Sequence, residues 1–368
     1  MNFLVIPFRK RSDPSSGFLV PPGHSPRPQL PARQGSSVAL LLTILLMVWE
    51  ASHAASWVED FSTDPVGNGW LRWGEPSLFQ WDASNAVLDV TWDSSHPNSY
   101  FYWPLGTVLT KQDDFQVRFE FVLDSIAIGV GEGKPYTFEL AMGFIHFASA
   151  TQTNFFRGSG MNATYGPRNL VELDYFPDSG FGATLAPTVV STNNRIAFSD
   201  NHPLELVPGD RYEIVMTHLS SQQILRTQAR RNGDAFGLPP NSTLADLDLN
   251  GFPDFRVDAV ALCSYSDEHQ SPPEFRGSLL ARGAVDRIEA TFPDPPLNGI
   301  LAGFEDEHWK VEFEARGGWG YYLERSGAFR EWVTVDHTTL GQDGPVVLVH
   351  TNAAVLSGGF YRVRAERP

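Results

Sequence analysis

Apolar side chains recur at every second position through most of this chain, and that alternation restricts it to strands. Phe115, Val117, Phe119, Phe121 and Leu123 alternate with Gln116, Arg118, Glu120 and Asp124. Tyr136, Phe138, Leu140, Met142 and Phe144 follow the same rule, as do Tyr212, Ile214 and Met216 between Arg211, Glu213 and Thr217. Val171, Leu173 and Tyr175 are interleaved with Glu172, Asp174 and Phe176. Successive side chains of a strand point to opposite faces, so such runs are half-buried strands. Turn clusters separate them: Pro65-Val-Gly-Asn-Gly69, Val130-Gly-Glu-Gly133, Pro208-Gly-Asp210 and Asn232-Gly-Asp234. No stretch holds a helical period between caps. The fold class is all-β, and this many strands over about 240 residues suit a two-sheet sandwich better than a small barrel.

The first 54 residues stand apart. They open with a segment rich in Pro, Ser and Arg, without periodicity, and continue into the apolar run Val38–Trp49. Arg9, Lys10, Arg11, Arg27 and Arg33 precede that run, and Ser52-His53-Ala54 follows with small residues at −3 and −1. This pattern reads as a secretory signal cleaved after Ala54, and the leader is long enough to suggest a misassigned start. About twelve apolar residues are short for a bilayer, so an uncleaved anchor is the lesser alternative, and no transmembrane span is expected in the mature chain. Cleavage would remove five basic and two acidic residues, leaving 22 basic against 41 acidic groups from the original 27 and 43. A net charge near −19 repels phosphate backbones, which excludes nucleic acid as a partner and suits a secreted or cell-surface setting. The single cysteine, Cys263, lies in the apolar run Val260–Cys263, where a buried inert thiol is expected. Asn162-Ala-Thr164 and Asn241-Ser-Thr243 are glycosylation acceptors only in a eukaryotic source.

Pro293-Asp-Pro-Pro-Leu-Asn-Gly299 marks a boundary. It divides a sandwich over residues 55–292 from a small β-module over 301–368, with 293–300 as linker. The module carries its own strands at Trp309–Phe313, Gly320–Glu324, Trp332–Val335, Val346–Val349 and Gly359–Arg364. It reads as a small second β-sandwich.

The larger domain resembles a known family. Glu59-Asp-Phe-Ser62, Trp81-Asp82, Leu88–Trp92, Val171–Phe176 and Tyr212–Val215 are similar to segments of concanavalin A-like lectin/glucanase domains. The resemblance covers about residues 56–292 and implies a jelly-roll sandwich whose concave sheet often binds glycans. Tyr322–Gly327, Trp332 and Phe360–Arg364 make the tail similar to small C-terminal β-modules of secreted proteins from environmental bacteria such as Verrucomicrobia.

Glu172-Leu-Asp-Tyr-Phe-Pro177 tests for catalysis. Retaining glucanases of the family carry E-x-D-x-E or E-x-D-x-x-E on one strand, because retention needs a carboxylate nucleophile and a separate proton donor. Glu172 matches the nucleophile and Asp174 the supporting aspartate. Phe176 and Pro177 occupy the acid/base position and cannot donate a proton, a loss worth a hundredfold or more. The two carboxylates are then glycan hydrogen-bonding groups or simply the polar side of a strand. Trp81 and Trp103 belong to a group of six tryptophans between Trp57 and Trp103, which is either core filler or a platform on which sugar rings stack.

Asp246-Leu-Asp-Leu-Asn-Gly-Phe-Pro-Asp254 resembles the calcium loops of thrombospondin type 3 repeats and dockerins. Asp246, Asp248, Asn250 and Asp254 fall at positions 1, 3, 5 and 9, Gly251 at 6, and Phe252 offers its carbonyl at 7. Val257 replaces the bidentate glutamate of an EF-hand at position 12. The alternative is an acidic turn without metal. Together these features point to an exported, non-catalytic protein that binds carbohydrate or another surface partner, with calcium in one loop. The alternatives are a polysaccharide hydrolase or lyase and a structural matrix protein.

Overall fold

A computed structural model describes residues 2–8, 54–128, 140–157, 166–179, 181–268, 279–305, 308–328, 331–340, 342–351, 353 and 359–367. The apolar run 38–49, the glycine clusters at 131–133 and 158–160, residues 136–138 and the sequon at 162 lie outside these. The first strand, β1 (Asn2–Phe8), pairs with the tail module and is taken up there.

The sandwich has two antiparallel sheets. One contains β3 (Leu71–Trp73), β6 (Ser99–Leu109), β8 (Leu140–Ile145), β9 (Leu170–Phe176), β10 (Thr184–Val190), β11 (Ile196–Phe198) and β16 (Val257–Ser264). Their spatial order is β11-β10-β9-β8-β16-β6-β3. The other contains β2 (Ala54–Glu59), β4 (Phe79–Asp82), β5 (Val87–Asp93), β7 (Phe115–Ile128), β12 (Arg211–Leu219) and β13 (Ile224–Arg231). It is completed by β14 (Asp234–Phe236), β15 (Leu247–Asp248) and β17 (Leu279–Pro293). Its order is β14-β13-β12-β7-β17-β5-β4, with β15 beside β13 and β2 beside β17. Hairpin neighbours such as β8-β9-β10-β11 and β12-β13-β14 are joined to strands distant in sequence, β8 to β16 and β7 to β12 and β17, as in a jelly roll.

Alternation decides which side of each strand is buried. On β7, Phe115, Val117, Phe119, Phe121 and Leu123 are buried between the sheets. Each such side chain contributes roughly 1.5–3 kcal/mol by leaving water. Arg118 and Glu120 face out, where Arg118 meets Glu120, Glu213 and Glu289 at 3.7–3.8 Å. β16 lacks alternation because its second face is covered as well, and Ala259 through Ser264 are all buried.

The tail module forms two small sheets. β18 (Leu297–Glu305), β19 (His308–Ala315) and β22 (Gly344–His350) make one. β20 (Gly320–Ser326), β21 (Val333–Thr339) and β23 (Gly359–Glu366) make the other, with β1 along the free side of β23. Trp309, Val311, Phe313, Trp319, Tyr321, Leu323, Leu348, Tyr361 and Val363 form a core separate from that of the sandwich. The linker expected over 293–300 is shorter than its composition implied. β17 runs to Pro293 and β18 begins at Leu297, leaving only residues 294–296 between them. Asn298-Gly299 sits in a β-bulge rather than a loop, with Gly299 at φ +62° and the register shifting between Asn298 and Leu301. No helix among the described residues is long and apolar enough to cross a membrane.

Candidate functional site

Glu172 and Asp174 lie two residues apart on β9, so both side chains leave the same face of the seven-stranded sheet, away from the sandwich core. Registers extend that face sideways. Tyr102, Ala261, Gly143, Glu172 and Thr188 form one cross-strand row, and Tyr100, Cys263, Ala141, Asp174 and Ala186 form the next. Small residues flank both acids on β8 and carry the floor across β16. A Cβ on Gly143 would stand 2.3 Å from the Val171 carbonyl oxygen and 2.6 Å from the Glu172 Cα, so the backbones meet too closely there for any side chain.

The face is not open. Residues 146–157, which follow β8, cross it as a strap containing the single-turn helix α1 (Phe147–Ala150). Phe147 stacks on Tyr102 at 4.3 Å, and its amide donates to Asp258 Oδ1 at 2.8 Å. Tyr100 Oη donates to the Ala150 carbonyl at 3.0 Å, and Asn98 Nδ2 donates to that of Phe155 at 3.1 Å. Phe155 is buried beside Tyr265, 6.1 Å between ring centroids.

Beneath the strap the carboxylates form a closed cluster. Arg157 Nε donates to Glu172 Oε1 at 2.9 Å, and its Nη2 donates to Asp174 Oδ2 at 2.6 Å. Tyr265 Oη donates to Glu172 Oε2 at 2.8 Å. Glu172 is 0% and Asp174 1% exposed. Among the described residues, Asp174 Oδ1 has no hydrogen-bond partner. Burial, reinforced by the neighbouring Asp174 charge, pushes the Glu172 carboxyl up to about 8. Burial also raises Asp174, against the pull of Arg157. Burial thus favours the protonated form of Glu172, while Arg157 lies on both carboxyl groups. Burial likewise holds the Cys263 thiol and the Tyr265 phenol well above their usual values.

Glu172 and Asp174, expected to meet a glycan, are enclosed in this structure. Neither side chain reaches solvent, and one guanidinium spans both. Trp81 and Trp103 do not join them. Trp81 sits on β4 in the other sheet, with its indole N–H donating to the Phe61 carbonyl at 2.9 Å. Trp103 lies on β6 but faces the opposite side from Glu172, stacked on Trp57 at 4.7 Å. All six tryptophans of the group pack in or against the sandwich core.

The acidic loop is ordered by protein partners. Asp246 forms a forked pair with Arg226 at 2.9–3.2 Å, and Asp248 Oδ1 accepts from the amide and side chain of Asn250 at 2.9 and 2.7 Å. Lys111 Nζ donates to the Phe252 carbonyl at 2.7 Å, and the Lys111 amide donates to Asp254 Oδ1 at 3.2 Å. Among the described residues no three His, Cys, Asp or Glu side chains gather as metal ligands would. The donor set Asp246, Asp248, Asn250, Phe252 and Asp254 thus does not fit a calcium ion as folded. An ion would have to displace one ammonium and one guanidinium. This arrangement predicts a melting temperature unchanged by chelator. A fall on chelation, restored by calcium, would return the ion to the loop.

An exposed aromatic lies at the far end of the same strand pair. The tight connection from β9 to β10 turns at Ser179–Gly182, where the Ser179 amide donates to the Gly182 carbonyl at 3.2 Å and Gly182 has φ +98°. It presents Phe181 at 72% exposure, the largest value among the exposed large hydrophobic residues described. The Phe181 ring lies 5.6 Å from that of His202, whose Nδ1 is 3.2 Å from Asp200 Oδ1. Sequence reasoning passed over Phe181 because one phenylalanine in a turn carries no pattern. Arg157 was missed because the strap has no period, and Tyr265 because it lies one residue past the end of β16.

No family model and no curated protein matches this chain. Among solved structures, peanut lectin bound to a nine-residue peptide superposes with TM-score 0.43 and 13% identity, over 65% of this chain and 97% of that one. Lectin II from Ulex europaeus gives 0.42 and 11%, over 65% and 99%. The Lotus tetragonolobus seed lectin gives 0.40 and 12%, over 66% and 100%. Likeness at this level carries no functional weight.

Proposed function

We propose that this is an exported carbohydrate-binding protein without catalytic activity, and that its sugar contact is the Phe181 end of the seven-stranded sheet. The observation that carries the reading is the exposed Phe181 ring beside His202 and Asp200. A flat apolar surface next to fixed polar groups is what a pyranose ring requires, since its C–H face stacks while its hydroxyls hydrogen-bond. Absence of activity follows from Phe176 and Pro177 at the acid/base position and from the Arg157-locked carboxylates. Export rests on the leader's basic–apolar–small-residue order and on the acidic surface of the rest of the chain, and cleavage after Ala54 would also remove β1 from beside β23. The hydrolase alternative gains nothing from a carboxylate pair closed to solvent.

Glycan-array binding by the wild-type chain and by Phe181→Ala tests the reading. We expect a restricted set of polysaccharides to bind, with about tenfold weaker binding after Phe181→Ala, the loss of roughly 1.4 kcal/mol of stacking. Silence on every glycan, or signals that ignore the substitution, would remove its basis.

A further inference from the structure

The turn joining β6 to β7 holds the tail module and the acidic loop at once. Asp113, 3% exposed, receives two guanidinium groups from the tail: Arg316 Nη2 at 2.7 Å on Oδ1, and Arg367 Nη1 on Oδ2. The Thr110 amide donates to the same Oδ2 at 2.9 Å. Arg367 Nη1 also donates to the Val108 carbonyl at 3.2 Å, and Arg316 Nη1 to that of Asp294 at 3.3 Å. Among the described residues, Val108 is the one sandwich side chain packed against the tail core. The attachment is therefore mainly polar and converges on one carboxylate. Removing a guanidinium leaves the other to balance a buried charge alone.

Two residues before Asp113, Lys111 engages the acidic loop through the Phe252 and Asp254 bonds already described, and its carbonyl accepts Gln223 Nε2 at 2.9 Å. The Asp113 carbonyl meets the buried His218 ring at Nδ1, 2.7 Å away. Thr110, Lys111 and Asp113 thus form one short backbone segment whose side chains and peptide groups bind both the tail and the loop. A segment this short cannot shift at one end without moving the other.

We propose that this turn couples the two: seating the tail module through Arg316 and Arg367 sets the conformation of the loop Asp246–Asp254, and loosening either loosens the other. Such coupling is reciprocal by linkage. It makes the tail a brace for the sandwich, through which a force on one domain reaches a loop of the other.

Hydrogen exchange on the full chain tests the idea with two substitutions that leave both cores intact. Arg367→Gln lies one residue from the end of the chain. It should speed exchange at the tail amides of Gly317 and Gly318 and also at those of Leu249 and Phe252, by about tenfold, while β16 stays protected. Lys111→Met touches no tail residue, yet it should speed exchange at Gly317 and Gly318 in the tail. Tail opening with the loop unchanged in Arg367→Gln, or loop opening with the tail unchanged in Lys111→Met, overturns the coupling. Unchanged exchange in both variants overturns it too.

Discussion

Replacing Arg157 with leucine is expected to destabilise the protein by about 3–5 kcal/mol, because it leaves two fully buried carboxyl groups without their shared cation. Among the described residues, Arg157 is the basic partner bonded to both Glu172 and Asp174. Removing those carboxyls as well, in Arg157→Leu/Glu172→Gln/Asp174→Asn, should recover most of the loss, since a neutral set has no unpaired charge to bury. The cluster also fixes the sign of a pH effect. Glu172 is raised from 4.5 to about 8 in the folded state, so its contribution is complete below pH 4.5 and is lost as pH rises through 8. Urea denaturation should therefore show wild-type stability falling toward alkaline pH, with a shallower fall in Glu172→Gln. An Arg157→Leu protein as stable as wild type would mean that the strap does not depend on this ion pair.

Trp70→Ala should cost about 3–5 kcal/mol, the usual range for emptying a large aromatic site in a core. Trp70 is fully buried, stacks on Phe101 at 4.6 Å, and donates its indole N–H to Glu59 Oε2 at 3.1 Å. Glu59 is itself 2% exposed and would lose a partner along with the packing. The same substitution separates the two roles weighed for the tryptophan group. A core residue lowers the denaturation midpoint and leaves glycan binding by the remaining folded protein intact. A platform residue does the reverse, so a Trp70→Ala protein of unchanged stability that no longer binds glycan would reinstate the platform.

The strands were legible because burial on one face writes itself into the sequence as period two. β12, and β7 as far as Leu123, follow that pattern residue for residue, and β16 betrays its central place by losing it. What could not be read is whatever depends on segments far apart meeting in space. Glu172 and Asp174 were found by spacing, but the arginine that seals them comes from an aperiodic strap. Trp81 and Trp103 were grouped by nearness along the chain, yet they pack on different sheets. The acidic loop has ligand-like spacing, while the lysine on its Phe252 carbonyl comes from 141 positions earlier. Asp113, Arg316 and Arg367 left no signal because each is an ordinary charged residue until the tail docks.

Calorimetric titration of the best-binding glycan into Phe181→Ala and Glu172→Gln, side by side with wild type, tests the central claim most directly. If the sugar meets the exposed end of the sheet and the carboxylate cluster is structural, the Kd rises about tenfold for Phe181→Ala and stays within twofold of wild type for Glu172→Gln. Binding lost with Glu172→Gln and kept with Phe181→Ala would place the ligand under the strap and contradict the account.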